Sequence, residues 1–159
     1  MNKEKTNAIR ILEQKKLDFI TRDYTQYIDQ GISGMDVAKY LGQDENRVFK
    51  TLVTIGKSGQ NYVFMIPVNR ELNLKKAAKA VGEKNIAMIK SKDLLALTGY
   101  VHGGCSPIGM KKAFVTTINE TAEAFDTIIF SGGKIGFQVE MAVEELRKVI
   151  KFNLEDIVD

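Results

Sequence analysis

The sequence predicts a single domain of the α/β (α+β) class built on a mixed β-sheet, for three reasons. The chain has 159 residues, of which 44% are hydrophobic and 27% charged, the size and composition of one soluble globular domain. Strand-like and helix-like segments alternate irregularly along it. Two apolar runs, 50–55 and 62–68, flank the turn Lys57-Ser58-Gly59-Gln60 and predict a β-hairpin. A hairpin within an irregular alternation favours a mixed sheet over a doubly wound parallel one.

Capping residues and apolar periodicity define the elements in the first part of the chain. Thr6-Asn7 opens a helix that places Ala8, Ile11 and Leu12 on one face. The elements that follow are a strand over 17–24, a helix from 35 or 36 to 41 that ends at Gly42, and a turn over 45–50 capped by Asp44.

The rest of the chain continues the same alternation. Asn73 caps a helix over 74–81 that ends at Gly82, since glycine readily adopts the left-handed conformation there. Pro67 places the end of the second hairpin strand at an edge or a bulge. The other predicted elements are strands over 86–89, 113–118, 127–130 and 137–141, and helices over 91–97, 121–125 and 143–149.

Two glycine-rich loops carry the residue types best suited to binding. The first, Gly103-Gly104-Cys105-Ser106-Pro107-Ile108-Gly109, holds one of the two prolines and the only cysteine of the chain. The second, Ser131-Gly132-Gly133-Lys134-Ile135-Gly136, has a similar composition. Glycine allows positive φ and close approach, and the N–H groups left free in such turns form anion-binding nests. The pair predicts a shared site for a carbonyl oxygen or a phosphate, with two ordinary turns as the alternative.

Three further positions bear on catalysis. Lys50 joins a helical turn to an apolar strand, where it is either a phosphate-binding lysine or a solvated one. Tyr24 is either a ligand-stacking residue or a core aromatic. Cys105 and His102 share one loop, which gives no third group to orient a base toward the thiol, so a structural cysteine is expected. With one histidine and one cysteine, a zinc site of the usual ligands cannot form within one chain.

The net charge of +3 is unevenly distributed. Residues 1–119 carry 19 Lys and Arg against 11 Asp and Glu, a balance of +8, whereas residues 120–159 carry 4 against 9. This asymmetry suggests a polyanion-facing surface, with solvated helix faces as the alternative. Lys75, Lys76 and Lys79 lie on the outer face of the helix over 74–81. No apolar run is long enough to span a membrane and the N-terminus is polar, so a cytoplasmic location is expected.

Four further segments, taken in order, form a recognisable set: Phe49-Lys50-Thr51-Leu52, Asn73-Leu74-Lys75-Lys76-Ala77-Ala78, the stretch 98–109, and Ser131-Gly132-Gly133-Lys134. Together they resemble motifs of the YbaK/EbsC family. These proteins are Cys-tRNA(Pro) deacylases related to the editing domain of bacterial prolyl-tRNA synthetase. The similarity extends over nearly the whole chain, so one aminoacyl-tRNA deacylase domain over 1–159 is expected. It implies a strongly curved mixed sheet with helices packed around it.

The resemblance also implies an activity and the residues that perform it. The activity is hydrolysis of the ester that joins a mischarged cysteine to tRNA(Pro), or to tRNA(Cys), in translation. The substrate's own thiol attacks the ester, a lyase-like cyclising step that needs no enzyme nucleophile, metal or cofactor. The implied catalytic residues are Lys50, Gly103, Gly104 and Pro107. The implied substrate-binding residues are Tyr24, Ser106, Ser131, Gly132 and Gly133, and the implied tRNA-binding residues are Lys75, Lys76, Lys79, Lys111, Lys112 and Lys134.

The partners that the resemblance implies are aminoacyl-tRNA and, transiently, prolyl-tRNA synthetase, with the chain itself a monomer or weak dimer. One alternative is a deacylase for another mischarged tRNA, such as Ala-tRNA(Pro). Another is a non-catalytic module that binds tRNA or the synthetase. Two positions depart from the family's pattern. Ile135 stands where relatives often have arginine, and Gln138 where some have an acid, which leaves the precise substrate open.

Overall fold

The computed structural model describes residues 5–25, 38–39 and 41–159. These residues form four α-helices and eight strands, with 3-10 turns at Glu45–Arg47 and Glu120–Ala124. In chain order the elements are α1 (Asn7–Gln14), β1 (Ile20–Asp23), β2 (Phe49–Gly56), β3 (Asn61–Pro67), α2 (Leu74–Val81), β4 (Ile86–Met88), α3 (Ser91–Thr98), β5 (Val115–Asn119), β6 (Ile128–Ser131), β7 (Phe137–Met141), α4 (Val143–Leu146) and β8 (Asn153–Glu155).

The strands form two sheets, and the predicted mixed pairing is confirmed. In the five-stranded sheet, of order β4-β2-β3-β5-β8, β2 pairs antiparallel with β3 and β4, whereas β3–β5 and β5–β8 are parallel. The three-stranded sheet, of order β1-β7-β6, is antiparallel throughout. A single parallel bridge between Val48 and Ile129 joins the two sheets. The sequence did not predict this division.

The main core lies between the three-stranded sheet, the middle of the five-stranded sheet and the helices α1 and α4. Helix α1 contributes Ala8, Ile9 and Leu12, which are buried on one face. The sheets and α4 contribute further buried residues, among them Phe49, Met65, Ile118, Phe130, Val139 and Leu146. Burial of this apolar face holds α1, a short helix of marginal intrinsic stability, against the sheet.

Most of the predicted helix ends are confirmed. The Thr6 side chain accepts a hydrogen bond from Ile9 N at the start of α1, and Asn73 accepts one from Lys76 N at the start of α2. Asp44 caps the 3-10 turn in the same way. Gly42 and Gly82 adopt positive φ. The predicted helix over 35–41 lies mostly outside the described residues.

Several predicted boundaries were wrong. The strand over 17–24 is limited to β1, which pairs with β7 only over Ile20–Asp23. The helix over 143–149 ends at Leu146, and the helix over 121–125 is a 3-10 turn. Strand β8 was missed because it has three residues, one of them apolar, and is formed by parallel pairing with the distant β5. Within the described ranges, no helix is long and apolar enough to cross a membrane.

Candidate active site

The two glycine loops are in direct backbone contact. A Cβ added to Gly104 would lie 2.8 Å from Ile135 N and 3.0 Å from Lys134 C. No side chain fits there unless one loop moves. Gly103 faces the Ile135 side chain at ordinary contact distance and has φ +85°. The structure therefore brings together the two loops that the sequence analysis singled out.

The hydrogen bonds within the first loop show which of its backbone N–H groups are available to bind a ligand. Gly104 N donates to Val101 O at 2.9 Å. The Gly104 N–H is therefore not free to bind a substrate carbonyl, contrary to the role expected for it. Within this loop, the N–H groups of Gly103, Cys105, Ser106 and Gly109 donate to no acceptor among the described residues. We take the N–H groups of Gly103 and Cys105, which flank Gly104, as candidate donors; Gly103 is the exposed one.

Ser106 does not face the solvent. Its side chain is fully buried, and its hydroxyl oxygen accepts a hydrogen bond from Ile108 N at 3.1 Å. This contact forms a local turn of the kind that serine often makes with its own backbone. The Ser106 hydroxyl is thus engaged within its own loop, and the contact with a substrate expected from the sequence stays a prediction. Pro107 is buried beside it.

Cys105 is a buried thiol, as the sequence analysis expected. It packs with Val53, Val63 and Leu94. Burial raises the pKa of the Cys105 thiol from 9.0 to about 11, although a hydrogen bond with the Thr98 side chain opposes the shift. Nucleophilic cysteines instead have a lowered pKa and an accessible sulfur. His102 is exposed in the same loop.

Tyr100 lies between the two glycine loops. Its hydroxyl donates to Ile108 O at 2.6 Å in the first loop. In the second loop, a Cβ added to Gly133 would lie 3.0 Å from Tyr100 Cε1. Burial, and secondarily the nearby Cys105, raises the pKa of Tyr100 to about 12. The ring thus fills the space behind the loops in its neutral form.

The bridge between the two sheets brings the chain segment that carries Lys50 next to the strand that carries Ser131. Val48 and Ile129 are partners in this parallel bridge and pack in one apolar cluster. Lys50 and Ser131 each follow their bridge residue by two positions, so they lie on the same face as the bridge. Lys50 is partly exposed and makes no ion pair with the described residues.

The same face of the three-stranded sheet carries other polar residues, and we call it the polar face. Ser131 pairs with Gln138, and Gln138 pairs with Arg22, so the three side chains share this face. Tyr24 follows Arg22 by two residues, and its N–H donates to Gly136 O at 2.6 Å. Burial raises the pKa of Tyr24, which keeps its hydroxyl neutral. Ser131 thus lies on the polar face, Tyr24 follows the end of β1 at the edge of that face, and Lys50 lies two residues after the bridge.

Two contacts on the polar face were not found from the sequence. Gln138 is buried, and its amide exchanges two hydrogen bonds with Gln43, at 2.7 and 3.3 Å. Glu140 binds Arg22 Nη2 at 2.6 Å and lies 3.6 Å from Arg47 Nη2. Burial would raise the pKa of Glu140, but the Thr127 hydroxyl and the arginines lower it below its usual value. The residues of these contacts lie far apart in sequence, and no local motif marks them.

Five of the six lysines expected to bind tRNA, all except Lys76, are exposed, and their surroundings differ. Lys75 and Lys79 lie along α2 and line a shallow groove with Lys84. Lys112 is exposed beyond the first glycine loop.

The other three are in contact with protein groups. Lys76 Nζ is 2.8 Å from both Asp156 Oδ2 and Val158 O. Lys111 Nζ is 3.5 Å from Ala96 O, and Lys134 Nζ lies 5.0 Å from the centre of the Phe137 ring. Lys76 is therefore held by two protein groups at its ammonium nitrogen. Over the described part of the chain, no group of three His, Cys, Asp or Glu residues is placed to hold a metal ion.

Comparison with known proteins identifies the family. The model of the aminoacyl-tRNA editing domain matches residues 33–149, which is most of the chain. The chain belongs to the aminoacyl-tRNA editing domain family. The matched range contains Lys50 and both glycine loops, so the resemblance seen in the sequence motifs is confirmed.

Curated relatives of this editing domain include free-standing and fused proteins. EbsC of Enterococcus faecalis, whose name describes it as a Cys-tRNA(Pro)/Cys-tRNA(Cys) deacylase, is 47% identical over 90% of this chain and 87% of its own. The proline–tRNA ligase of Thermosipho melanesiensis is 33% identical over 47% of this chain. That match covers 13% of the ligase, so only one segment of the ligase resembles this chain.

Solved structures share the fold over nearly the whole chain. The crystal structure titled as a trans-editing enzyme for prolyl-tRNA synthetase superposes with a TM-score of 0.81 and 20% identity, and covers 99% of both chains. The crystal structure of hypothetical protein APE2540 gives a TM-score of 0.82 and 18% identity over 96% of this chain. At these identities the likeness establishes the fold, which agrees with the expected architecture.

Proposed function

We propose that this protein is a trans-editing hydrolase that removes cysteine from mischarged Cys-tRNA(Pro). The observation that carries the proposal is the 47% identity with EbsC over 90% of the chain, together with the match to the editing-domain family. The two glycine loops and Lys50, which lie within the range matched by the family model, supply the site in this proposal.

The proposed site lies where the glycine loops approach the polar face. The N–H groups of Gly103 and Cys105 hold the ester carbonyl and stabilise negative charge as it develops on the oxygen. Gly104 acts through its small size, since it allows the second loop to approach. Lys50 holds a phosphate or ribose of the acceptor end through a charge-assisted contact. Ser131 binds the ammonium group or a ribose hydroxyl.

The remaining expected residues have supporting roles. Gly132 and Gly133 keep the second loop narrow, and Pro107 fixes the first loop. Tyr24 forms one wall of the pocket through its ring. Ser106 supports the loop through its bond to Ile108 N, in place of the direct substrate contact expected from the sequence. Each glycine lacks a side chain, so together they set the size of the amino acid that enters.

The substrate supplies the nucleophile in this scheme. The cysteine sulfur attacks its own ester carbonyl carbon, a C–S bond forms, and the C–O bond to the ribose breaks. The thiol proton passes to the ribose oxygen, which leaves as a hydroxyl, and water then opens the cyclic thioester. The buried Cys105, with its raised pKa, supports the assignment of the attacking sulfur to the substrate.

We also propose that the protein works with prolyl-tRNA synthetase in a transient complex. In the proline–tRNA ligases a similar segment is part of the synthetase chain. In this proposal the domain instead acts on the tRNA in trans. The exposed Lys75 and Lys79 provide positive charge for the tRNA backbone, as the steep charge asymmetry of the chain suggests.

The test is the release of cysteine from Cys-tRNA(Pro) by the purified protein. The expected result is release that increases in proportion to protein concentration and far exceeds spontaneous hydrolysis. A rate equal to that without protein would contradict the proposal and favour a non-catalytic module that binds tRNA or the synthetase.

A further inference from the structure

The first residues of α1 contact both glycine loops. Thr6 Oγ1 donates a hydrogen bond to Gly132 O at 2.5 Å in the second loop. Asn7 Nδ2 donates one to Gly109 O at 2.9 Å in the first. Two consecutive residues of one helix thus bind loops that are more than 20 residues apart in sequence.

The contacts are close on both sides. A Cβ added to Gly133 would lie 3.2 Å from Thr6 Cβ, and one added to Gly109 would lie 2.7 Å from Asn7 Nδ2. Both glycines have positive φ. With the helix where it is, a side chain at either position would meet Thr6 or Asn7, so glycine lets the loops lie this close to the start of α1.

Helix α1 is itself fixed to the core. Ala8 and Leu12 are fully buried, and the Thr6 oxygen that donates to Gly132 also accepts from Ile9 N. The position of the helix is thus set by the core, and the loops take their position from the helix.

We infer that Thr6 and Asn7 are positioning residues for deacylation, which hold the two glycine loops at the separation that the ester requires. This inference rests on the proposed function. Neither residue touches the substrate. They bind Gly132 and Gly109, and in this way they fix the position of the N–H groups that bind the ester carbonyl. Small misplacement of such groups costs a large part of the rate.

The decisive variant is Asn7→Asp, which keeps the size of the side chain but replaces the donor with an acceptor facing Gly109 O. The first turn of α1 contains no acidic residue, and an acid there stabilises a helix. If Asn7 only stabilises the helix, the Asn7→Asp protein should therefore be fully active and at least as stable as the wild type. The positioning role predicts a kcat lower by about tenfold, or more, with KM changed by less than about twofold.

Thr6 is tested in parallel with a matched pair. Thr6→Ser keeps the hydroxyl and should retain the wild-type kcat, whereas Thr6→Val loses both the loop contact and the cap. Asn73→Ala removes the cap of α2 and a side-chain bond to Asp159, with no contact to either glycine loop. It therefore controls for the loss of a helix cap away from the loops and should keep its kcat. An unchanged kcat in both Asn7→Asp and Thr6→Val would overturn the inference.

Amide hydrogen exchange over 101–109 and 131–137 separates this inference from the proposed function. Faster exchange in both loops of Asn7→Asp and Thr6→Val, with unchanged exchange in β2 and β3, supports the positioning role even if the wild type fails to hydrolyse Cys-tRNA(Pro). Exchange identical to the wild type in both variants overturns it, whatever the activity of the wild type.

Discussion

Gly104 and Ile135 are in backbone contact, so the two glycine loops form one structural unit rather than two separate turns. The distance from a built Gly104 Cβ to Ile135 N, 2.8 Å, is shorter than side chains in proteins tolerate. The Gly104 N–H binds Val101 O. Gly104 therefore matters because it lacks a side chain. A larger residue would separate the two loops, even though the Gly104 N–H is already bonded to Val101 O and is not available to a substrate.

We predict that Gly104→Ala abolishes most of the activity, because the added methyl group separates the loops. We expect Gly103→Ala to lower the activity because alanine disfavours the φ of +85° that Gly103 adopts, whereas the added methyl group itself would not be crowded. Gly59→Ala is the control, since Gly59 also has positive φ but lies in an open turn. Initial deacylation rates and thermal midpoints should show lower stability in all three and lower kcat only in the first two. Equal kcat in all three would contradict the prediction.

We predict that Lys50→Ala reduces kcat/KM by about tenfold or more, as the loss of a charge-assisted contact worth roughly 1.5–3 kcal/mol implies. The thermal midpoint should remain close to that of the wild type, because Lys50 has no ion pair in the described structure to lose. Lys57→Ala, in the exposed hairpin turn, is the matched control and should be fully active. Undiminished deacylation by a folded Lys50→Ala protein would exclude Lys50 from the site.

We predict that Cys105→Ala keeps most of the deacylase activity, since the attacking sulfur belongs to the substrate. The cost should be some packing and a few-fold at most in rate, because the thiol is small and makes no described contact with the polar face. In the native wild type, the thiol should react slowly with a disulfide reagent at neutral pH. An inactive but folded Cys105→Ala protein would require a covalent route through an enzyme thioester.

We predict that the folded state loses stability as the pH rises above about 9. The pKa of Cys105 is raised from 9.0 to about 11, and that of Tyr100 from 10.0 to about 12. Both groups lose their protons more easily when unfolded. The free energy of unfolding that these two protonated groups contribute is thus fully present below pH 9 and is lost between pH 9 and 12. Denaturant titrations should show this fall, and Cys105→Ala should reduce its lower part. Stability that is flat from pH 8 to 11 would argue against the buried, protonated thiol.

We predict that tRNA binding weakens steeply with salt, since Lys–phosphate contacts release counterions. The double change Lys75→Glu, Lys79→Glu should weaken binding and reduce the slope of log Kd against log salt by about 2, roughly one for each contact. Lys151→Glu, at an exposed site in the acidic C-terminal segment, should change the slope little. If the double change left the slope of log Kd against log salt unaffected, Lys75 and Lys79 would not contact the tRNA and this face of α2 would be ordinary solvated surface.

The parts of the fold that depend on neighbouring residues could be predicted from the sequence. The caps Thr6 and Asn73 and the hairpin were found, because hydroxyl, amide and glycine preferences act over three or four residues. The glycine loops were recognised as a candidate site for the same reason. Their contact at Gly104 could not be predicted, since only the fold shows which loop backbones meet.

Features that depend on distant pairing could not be predicted either. The Gln43–Gln138 amide pair joins residues 95 positions apart, and nothing in either local sequence marks the partner. The burial of Ser106 and its bond with Ile108 N could not be predicted, because a serine in a glycine loop can face outward or bond its own backbone, and sequence does not distinguish the two. Arg22 and Glu140 likewise gained significance only from the strand register.

The most direct test of the account is the rate of deacylation of the same tRNA(Pro) charged either with cysteine or with alanine. Alanine is smaller than cysteine, so it enters any pocket that admits cysteine and lacks only the thiol. The account predicts rapid release of cysteine and release of alanine no faster than in the absence of protein. Equal rates for the two substrates would contradict it, since the thiol of the substrate would then play no part in breaking the ester.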